Sequence, residues 1–330
     1  MTRARLPAKG NLDVEAASAA NPFAADVQYY LTQDPRQLPS RYLYDPLGSA
    51  LFEAICRLPW YRVTRAEKRL LRQHAGDVTR AVSPLSTIVE LGAGNGEKLA
   101  ILLGHAGASA SPLDVHLIDI SASALDAATR AVEGGAVRVT VHRGTYEDGL
   151  REVRHRPEGP GRALVLFLGS NIGNYDRPGA EALVRGVRSQ LRPGDALLLG
   201  ADLVKPEREL LLAYDDPLGV TAAFNKNLLV RINRELGGDF VVDDFTHEAA
   251  WNAAESRIEM HLRSRAAQRV CVEAAGIAFP MRAGERIWTE SSYKFLPDDI
   301  GRLLERTGFR VTSLWIDRED RFALTLGQAA

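Results

Sequence analysis

A glycine-rich stretch in the first third of the chain, IVELGAGNGEK (88–98), is the part of the sequence best suited to hold a ligand. Gly92, Gly94 and Gly96 follow an apolar, β-branched run that predicts a short buried parallel strand. Glycines let the backbone turn sharply and approach a ligand closely. A helix is predicted directly after them, and its first N–H groups have no partner within the helix. Alone, this pattern is also typical of plain tight turns and of several cofactor-binding families.

An acidic residue at the end of the next predicted strand strengthens the interpretation as a cofactor site. The strand Val115–Asp119 ends in Asp119, 25 residues after Gly94. In doubly wound sheets an acid at this place accepts hydrogen bonds from a ribose diol. The glycine spacing is G-x-G-x-G and not the dinucleotide pattern G-x-G-x-x-G, which counts against a nicotinamide cofactor.

Alternating strands and helices are predicted to position these residues. Later strands are predicted over Arg138–His142, Arg162–Leu168 and Asp195–Ala201, with helices between them. Ligands bind at the carboxyl ends of the strands in such open α/β sheets. Upstream, Thr64 and Glu67 have the spacing of a capping box, which predicts a helix from Thr64 to about His74.

Composition excludes several classes of protein. The 330 residues are 45% hydrophobic and 25% charged, which is ordinary for a soluble globular chain, and the net charge of −1 disfavours a general nucleic-acid or membrane-surface binder. The two cysteines, Cys56 and Cys271, do not indicate a disulfide framework, so a reducing cytoplasm is the simplest compartment. The chain shows no apolar run of about 20 residues, no secretory signal and no metal-ligand spacing, so no metal is expected.

Several sequence blocks, in order, resemble the histidine Nα-methyltransferase family of ergothioneine biosynthesis. The blocks are RYLYDPLGSALFEAI, LPWYRVTRAE, VELGAGNGEK, FLGSNIGNYD, YDDPLGVTAAFNKNLL, RIEMHL and TESSYKF. The resemblance implies an α/β fold, with a Rossmann-like class I methyltransferase sheet and a second, mixed α+β substrate-binding lid domain. The implied divisions are 1–22 as a flexible N-terminal arm, 23–59 as the N-terminal helical part of the lid, 60–202 and 286–330 as the methyltransferase domain, and 203–285 as the inserted substrate-binding domain.

The resemblance also implies which residues hold the cofactor, S-adenosylmethionine. Gly92, Gly94 and Lys98 correspond to the turn beneath it, and Asp119 corresponds to its ribose contact. Thr145 and Tyr146 correspond to the adenine contacts, where many bacterial members have an Asp-Phe pair.

Substrate contacts follow from the same resemblance. The residues it implies are Tyr44, Phe52, Tyr61, Asn174, Tyr214, Met260, Glu290 and Ser292. Within this set Asn174 and Tyr214 correspond to the carboxylate contacts of an amino acid. Tyr44, Phe52, Met260, Glu290 and Ser292 correspond to the imidazole pocket. Tyr61 and the backbone of Gly169 lie at positions near the α-amine, and they are the candidate catalytic groups.

The expected activity is Nα-methylation of L-histidine to its trimethylated betaine, hercynine, by a cytoplasmic monomer that binds neither nucleic acid nor membrane. Three alternatives stay open: a family member acting on another amino acid or aromatic amine, a nicotinamide-dependent oxidoreductase, and a non-catalytic binding module. Individual residues also have plainer explanations. Asn174 could cap the next helix, Met260 could fill the core and Glu290 could lie on a surface strand.

Overall fold

The structure, a computed structural model, describes residues 21–106, 112–134, 136–153 and 161–330. Almost all of the predicted N-terminal arm (1–22) lies outside the described residues. The described helices are α1 (Pro22–Leu31), α2 (Pro46–Ile55), α3 (Val63–Ala81), α4 (Glu97–Leu103), α5 (Ala122–Val132), α6 (Tyr146–Val153), α7 (Arg177–Ser189), α8 (Glu207–Tyr214), α9 (Val220–Leu236) and α10 (Pro297–Arg306). The described strands are β1 (Arg36–Gln37), β2 (Leu85–Leu91), β3 (Leu113–Asp119), β4 (Val137–Arg143), β5 (Arg162–Phe167), β6 (Ala196–Asp202), β7 (Phe245–Asn252), β8 (Arg257–Ser264), β9 (Gln268–Val272), β10 (Ile277–Met281), β11 (Arg286–Tyr293), β12 (Phe309–Asp317) and β13 (Phe322–Ala329).

The chain divides into two compact units. The larger consists of Phe52–Tyr214, Trp251–Ile258 and Ser291–Ala330. The smaller consists, among described residues, of 21–51 with Asp215–Ala250 and Glu259–Glu290. The domain limits predicted from the sequence, after residues 59, 202 and 285, stay a prediction.

The larger unit is built on a seven-stranded sheet with the order β12-β13-β6-β5-β2-β3-β4. Strands β2 to β6 are parallel, whereas β13 runs antiparallel to both β6 and β12. The five parallel strands follow the 3-2-1-4-5 order of dinucleotide-binding sheets, so the predicted Rossmann-like sheet is confirmed. Strand order reverses between β2 and β5, and ligands bind at such a point, beyond the carboxyl ends of the strands.

Apolar strands make the centre of this sheet rigid. Every residue of β6 is buried, and β2 is buried from Thr87 to Leu91, as expected for strands covered on both faces. The buried faces of α7 and α10 share one apolar cluster with β5 and β6. The carboxyl ends of β2 and β5 are therefore fixed relative to each other.

The smaller unit is mixed α+β. It contains most of a four-stranded sheet of order β1-β11-β8-β7, an antiparallel pair β9-β10, and the helices α1 and α9. Asp45 precedes α2 and accepts hydrogen bonds from the Asn227 and Arg234 side chains of α9, at 2.7 Å each.

The capping box predicted at Thr64 is wrong. Helix α3 begins one residue earlier, at Val63, and its N-cap residue Arg62 makes no side-chain capping hydrogen bond. Glu67 does not reach back to the helix start, because its side chain is fully buried and bonded elsewhere. Among the described residues, no helix combines the length and the apolar character needed to cross a membrane.

Candidate active site

The glycine turn after β2 has the left-handed backbone that its sequence predicts. The φ angles of Gly92, Gly94 and Gly96 are 80°, 53° and 74°, a region that L-residues with side chains rarely adopt. A Cβ on Gly96 would lie 2.8 Å from Ala128 Cα, so glycine is also needed for close packing against α5. A Cβ on Gly94 would meet nothing within 4 Å. The space over the middle of the turn is therefore open.

The carboxylate of Asp119 lies beside this turn, at the end of β3. One oxygen, Oδ2, accepts from the Gly94 N–H at 3.3 Å, and Oδ1 accepts from the Ser121 N–H at 2.8 Å. Burial raises the pKa of Asp119 above its usual range, while the backbone N–H groups act in the opposite direction. Asp119 is thus a partly desolvated hydrogen-bond acceptor, fixed in place by backbone N–H groups, next to the open part of the turn.

A partly buried ion pair lies beneath the same region. Lys98 Nζ is 3.0 Å from Glu67 Oε2, and the Gly169 N–H donates to both Glu67 oxygens at 2.8 and 2.9 Å. A Cβ on Gly200 of β6 would collide with Glu67 Oε1, so a side chain there would displace the carboxylate from this position. Burial lowers the pKa of Lys98, but the carboxyls of Glu67 and Glu90 outweigh it and raise the pKa above its usual value.

Glu90 is a second buried carboxyl, at the end of β2. Its side chain is fully buried, and neither oxygen has a hydrogen-bond partner among the described residues. Burial raises the pKa of Glu90 to about 8; Lys98 opposes this shift, and Glu67 and Asp119 add to it. Glu90 is consequently protonated over much of the neutral range.

The loop after β5 turns sharply at its second and third residues and is strained at Ser170. Gly169 and Ser170 both have left-handed backbones, with φ of 78° and 58°. Ser170 Oγ accepts from the Asp202 N–H at 2.9 Å, which ties the loop to the end of β6. The Asn171 amide lies close to Gly92, in the turn after β2, and to Gly169. A Cβ on Gly92 would be 2.7 Å from its Nδ2, and a Cβ on Gly169 would be 3.4 Å from its Oδ1.

Asn174 ends the short 3-10 helix of this loop and is exposed. It does not cap the following helix, since Asp176 caps α7 by accepting from the Gly179 N–H at 2.8 Å. The simpler interpretation of Asn174, as the cap of the next helix, is therefore wrong. A Cβ on Gly173 would lie 2.7 Å from the Tyr293 carbonyl oxygen, so the end of β11 runs close beside this loop.

Three aromatic rings of the larger unit form a row. The Phe52 and Tyr61 ring centroids are 6.3 Å apart, and the Tyr61 and Tyr214 centroids are 6.2 Å apart, each pair in an edge-on arrangement. Tyr61 and Tyr214 are buried. Edge-on packing fixes the ring planes and so fixes where each hydroxyl lies.

The far end of this row is a buried polar cluster. Tyr214 Oη and Ser292 Oγ are 2.7 Å apart, and Lys294 Nζ lies 2.8 Å from each of them. Lys294 Nζ is also 3.1 Å from Asp202 Oδ2, and Lys205 Nζ is 2.6 Å from Asp202 Oδ1. The cluster brings together residues from the end of β6, from α8 and from the end of β11.

Comparison with known proteins identifies the family. A family model described as histidine-specific methyltransferase, SAM-dependent, matches residues 23–329. The histidine N-alpha-methyltransferase of Mycolicibacterium smegmatis is 42% identical over 319 residues, which cover 94% of this chain and 96% of the relative. That of Mycobacterium tuberculosis is 44% identical over 304 residues, covering 91% and 93%. Ergothioneine biosynthesis protein 1 of Neurospora crassa is 30% identical over 272 residues, which cover 77% of this chain but 31% of that protein.

The chain belongs to the histidine-specific, S-adenosylmethionine-dependent methyltransferases. It is therefore an enzyme of the N-methyltransferase class, as the sequence blocks indicate. The alternatives of a nicotinamide-dependent oxidoreductase and of a non-catalytic binding module are set aside by this membership.

In this methyltransferase, the predicted site residues are divided between the two units. The larger unit holds all the predicted cofactor contacts, Gly92, Gly94, Lys98, Asp119, Thr145 and Tyr146, together with Phe52, Tyr61, Gly169, Asn174, Tyr214 and Ser292. The smaller unit holds Tyr44, Met260 and Glu290. Tyr44 packs edge-on against Phe224 at 5.5 Å, and Met260 is buried in β8. Strand β11 is extended through both Glu290 and Ser292.

The two predicted adenine contacts begin a helix of the methyltransferase. Thr145 precedes α6, and its Oγ1 accepts from the Asp148 N–H at 3.2 Å. The Tyr146 ring packs edge-on against Phe167 of β5 at 5.4 Å. A Cβ on Gly92 would lie 3.1 Å from the Tyr146 hydroxyl, so this side chain reaches the glycine turn.

Sequence reasoning missed three polar residues that lie against the predicted site residues: Glu67, Asn171 and Lys294. Glu67 had a local explanation as a capping residue, which concealed it. Asn171 and Asn174 are two asparagines of the same loop, and the sequence did not indicate that Asn171 lies against the glycine turn. Lys294 directly follows β11, a strand of largely polar residues (RIWTESSY), so no local pattern indicated that its ammonium is buried.

The methyltransferase turn fits an adenosyl cofactor. The open space over Gly94 and the held acceptor Asp119 occur together at the point where the strand order reverses. Within the described ranges, no group of three His, Cys, Asp or Glu side chains is arranged to hold a metal ion.

Proposed function

We propose that this enzyme transfers methyl groups to the α-amine of L-histidine, forming the trimethylated betaine as a step of ergothioneine biosynthesis. The observation that carries the proposal is the match to a histidine-specific family over residues 23–329. Two relatives named histidine N-alpha-methyltransferase are similar over more than nine tenths of both chains.

The cofactor, S-adenosylmethionine, supplies a methyl group that its sulfonium already activates. Gly92, Gly94 and Lys98 are the proposed residues beneath it, and Asp119 is the proposed acceptor for its ribose. Thr145 and Tyr146 are the proposed adenine neighbours. The open space over Gly94 and the position of Asp119 support this assignment.

The amine must be neutral to attack, so the protein has to orient it and keep water away. Because the methyl donor is activated, we attribute catalysis to positioning and desolvation. Tyr61, buried between Phe52 and Tyr214, is the proposed orienting hydroxyl, together with the backbone of the Gly169 loop. Gly169 is fixed for this role by its N–H bonds to Glu67.

The carboxylate of the amino acid is proposed to bind Asn174 and Tyr214. The structure supports this choice, because Asn174 does not cap α7 and because Tyr214 has a fixed, buried hydroxyl. Tyr44, Phe52, Met260, Glu290 and Ser292 stay the proposed imidazole contacts. Tyr214 Oη and Ser292 Oγ are hydrogen-bonded, so these two roles are served by one connected pair of hydroxyls.

Calorimetric titration tests the proposal. The protein should bind S-adenosylhomocysteine, and the loaded protein should then bind L-histidine more tightly than L-tryptophan or L-phenylalanine. NAD should produce no binding heat. Tighter binding of an indole amine than of histidine would move the acceptor to another amine within the same family. We also propose that the protein is a cytoplasmic monomer. A dimer in sedimentation experiments would contradict the monomeric state.

A further inference from the structure

Lys294 is a fully buried lysine with a complete set of hydrogen-bond partners. Its ammonium lies 2.8 Å from Tyr214 Oη, 2.8 Å from Ser292 Oγ and 3.1 Å from Asp202 Oδ2. An ammonium has three N–H donors and no acceptor, so all of its bonds are directed to these three oxygens. Burial lowers the pKa of Lys294, but Tyr214 and Asp202 outweigh it and raise the pKa above its usual value, so the side chain is charged.

The buried charges around Lys294 do not cancel. Lys294 and Lys205 both pair with Asp202, which leaves two cations for one carboxylate. The other contact of Lys205 is to the main-chain oxygen of Asp320 at 2.7 Å, which carries no full charge. The Asp320 carboxylate is paired separately with Arg62 and Arg69. This group of three, Lys294, Asp202 and Lys205, therefore has one surplus positive charge in a largely buried place.

The hydroxyl protons are constrained by Lys294. Both Tyr214 Oη and Ser292 Oγ accept a hydrogen bond from the ammonium, and one of the two O–H groups is used in the bond between them. The O–H that is not used there must donate to a further acceptor. Burial raises the pKa of Tyr214 above its usual range, with Lys294 acting in the opposite direction, so Tyr214 keeps its proton.

We propose that Lys294 is a positioning residue for substrate recognition, which orients the Tyr214–Ser292 hydroxyl pair as a donor and supplies the positive charge that the substrate carboxylate compensates. This inference rests on the proposed function, because it takes an α-amino acid as the ligand. Lys294 acts through the two hydroxyls, since its own donors are all used by the protein. A neutral residue at this position would leave the hydroxyls free to exchange donor and acceptor roles and would remove the surplus charge.

The test compares Lys294→Met with the wild type in calorimetric titrations of protein loaded with S-adenosylhomocysteine. The ligands are L-histidine and L-histidinol, which keeps the amine and the imidazole but lacks the carboxylate. We expect the variant to bind L-histidine on the order of tenfold more weakly and L-histidinol, which keeps the proposed imidazole contact to Ser292, by a clearly smaller factor, with an unchanged affinity for S-adenosylhomocysteine. Lys294→Arg keeps the charge and should recover part of the L-histidine affinity, because a planar guanidinium cannot reproduce the same three bonds.

Equal losses for the two ligands, or no loss for either, would overturn the inference. If Lys294→Met does not fold, Lys294→Arg decides by the same comparison, with a selective loss for L-histidine as the expected result. Lys68→Met, which removes a surface ion pair with Glu97, is the control and should leave both affinities unchanged. A wild-type protein that binds neither ligand would contradict the proposed function itself, and this outcome is distinct from a failure confined to the Lys294 variants.

Discussion

The carboxylate of Glu67 accepts hydrogen bonds from two parts of the predicted cofactor site: Lys98 Nζ at 3.0 Å and the Gly169 N–H at 2.8 Å. One side chain from α3 thus connects the helix after the glycine turn with the loop after β5. Glu67→Gln would leave the partly buried Lys98 ammonium with less compensation. We expect the free energy of unfolding to fall by about 3 kcal/mol, together with weaker cofactor binding.

Glu97→Gln is the matched control for this variant. Glu97 is the neighbour of Lys98 in sequence, but its carboxylate is about half exposed and pairs with Lys68 at the surface. Such pairs contribute roughly 0 to 1 kcal/mol. Urea unfolding of both variants measures the difference; equal destabilisation would show that the Glu67–Lys98 pair has no special structural role.

The buried carboxyl of Glu90 predicts a pH-dependent stability. Its pKa is about 8 in the folded protein, against 4.5 for an exposed glutamate, so the folded state holds a proton that the unfolded state releases. Stability should therefore fall as pH rises from about 4.5 to about 8, by at most roughly 1.4 kcal/mol per pH unit. Glu90→Gln should remove this dependence and be more stable than the wild type near pH 8.

The measurement for Glu90 is the difference between variant and wild-type free energies of unfolding across that pH range. Glu133→Gln, at an exposed position after α5, should show the wild-type dependence. Parallel curves for wild type and Glu90→Gln would mean that Glu90 is ionised in the folded protein.

Asp119→Ala tests the proposed ribose contact. We expect affinity for S-adenosylhomocysteine to fall strongly, because up to two hydrogen bonds to a charged acceptor are lost, each worth about 1.5 to 3 kcal/mol. Asp114→Ala on the same strand removes a carboxylate that pairs with Arg138, and it should leave this affinity unchanged. The same affinity for Asp119→Ala and wild type would remove Asp119 from the cofactor site.

The sequence predicted the core of the fold well, for a physical reason. A parallel sheet buries both faces of its central strands, so β2, β5 and β6 appear as continuous apolar runs that end in glycine or acid. The end of β2 placed the glycine turn, and the end of β3 placed Asp119, at the correct edge of the sheet. Strand β10 was missed, because its five residues include Pro280 and alternate buried with exposed positions over a short length.

The polar cluster of the site could not be predicted in the same way. Glu67 follows Thr64 at the spacing of a capping box, and only the tertiary structure shows that its carboxylate turns inward. Lys294 and Asp202 are 92 positions apart in sequence, so their pairing follows from the packing of β6 beside the end of β11. Local sequence patterns contain no information about such contacts.

Glu290 and Met260 are the proposed determinants of substrate selectivity. Glu290→Ala, alone or with Met260→Val, should lower turnover of histidine and allow a larger aromatic amino acid to compete, because a charged acceptor is lost and space is opened. The change in discrimination should be several kcal/mol at most. The measurement is the ratio of kcat/KM for histidine over tryptophan, and an unchanged ratio would show that Glu290 does not contact the substrate side chain.

Mass spectrometry of L-histidine after incubation with this protein and S-adenosylmethionine tests the central claim most directly. The account predicts products that are heavier by one, two and finally three methyl groups, with fragmentation that places every methyl on the α-nitrogen. Unmodified histidine under conditions in which another amine is methylated, or methyl groups on the imidazole ring, would contradict it.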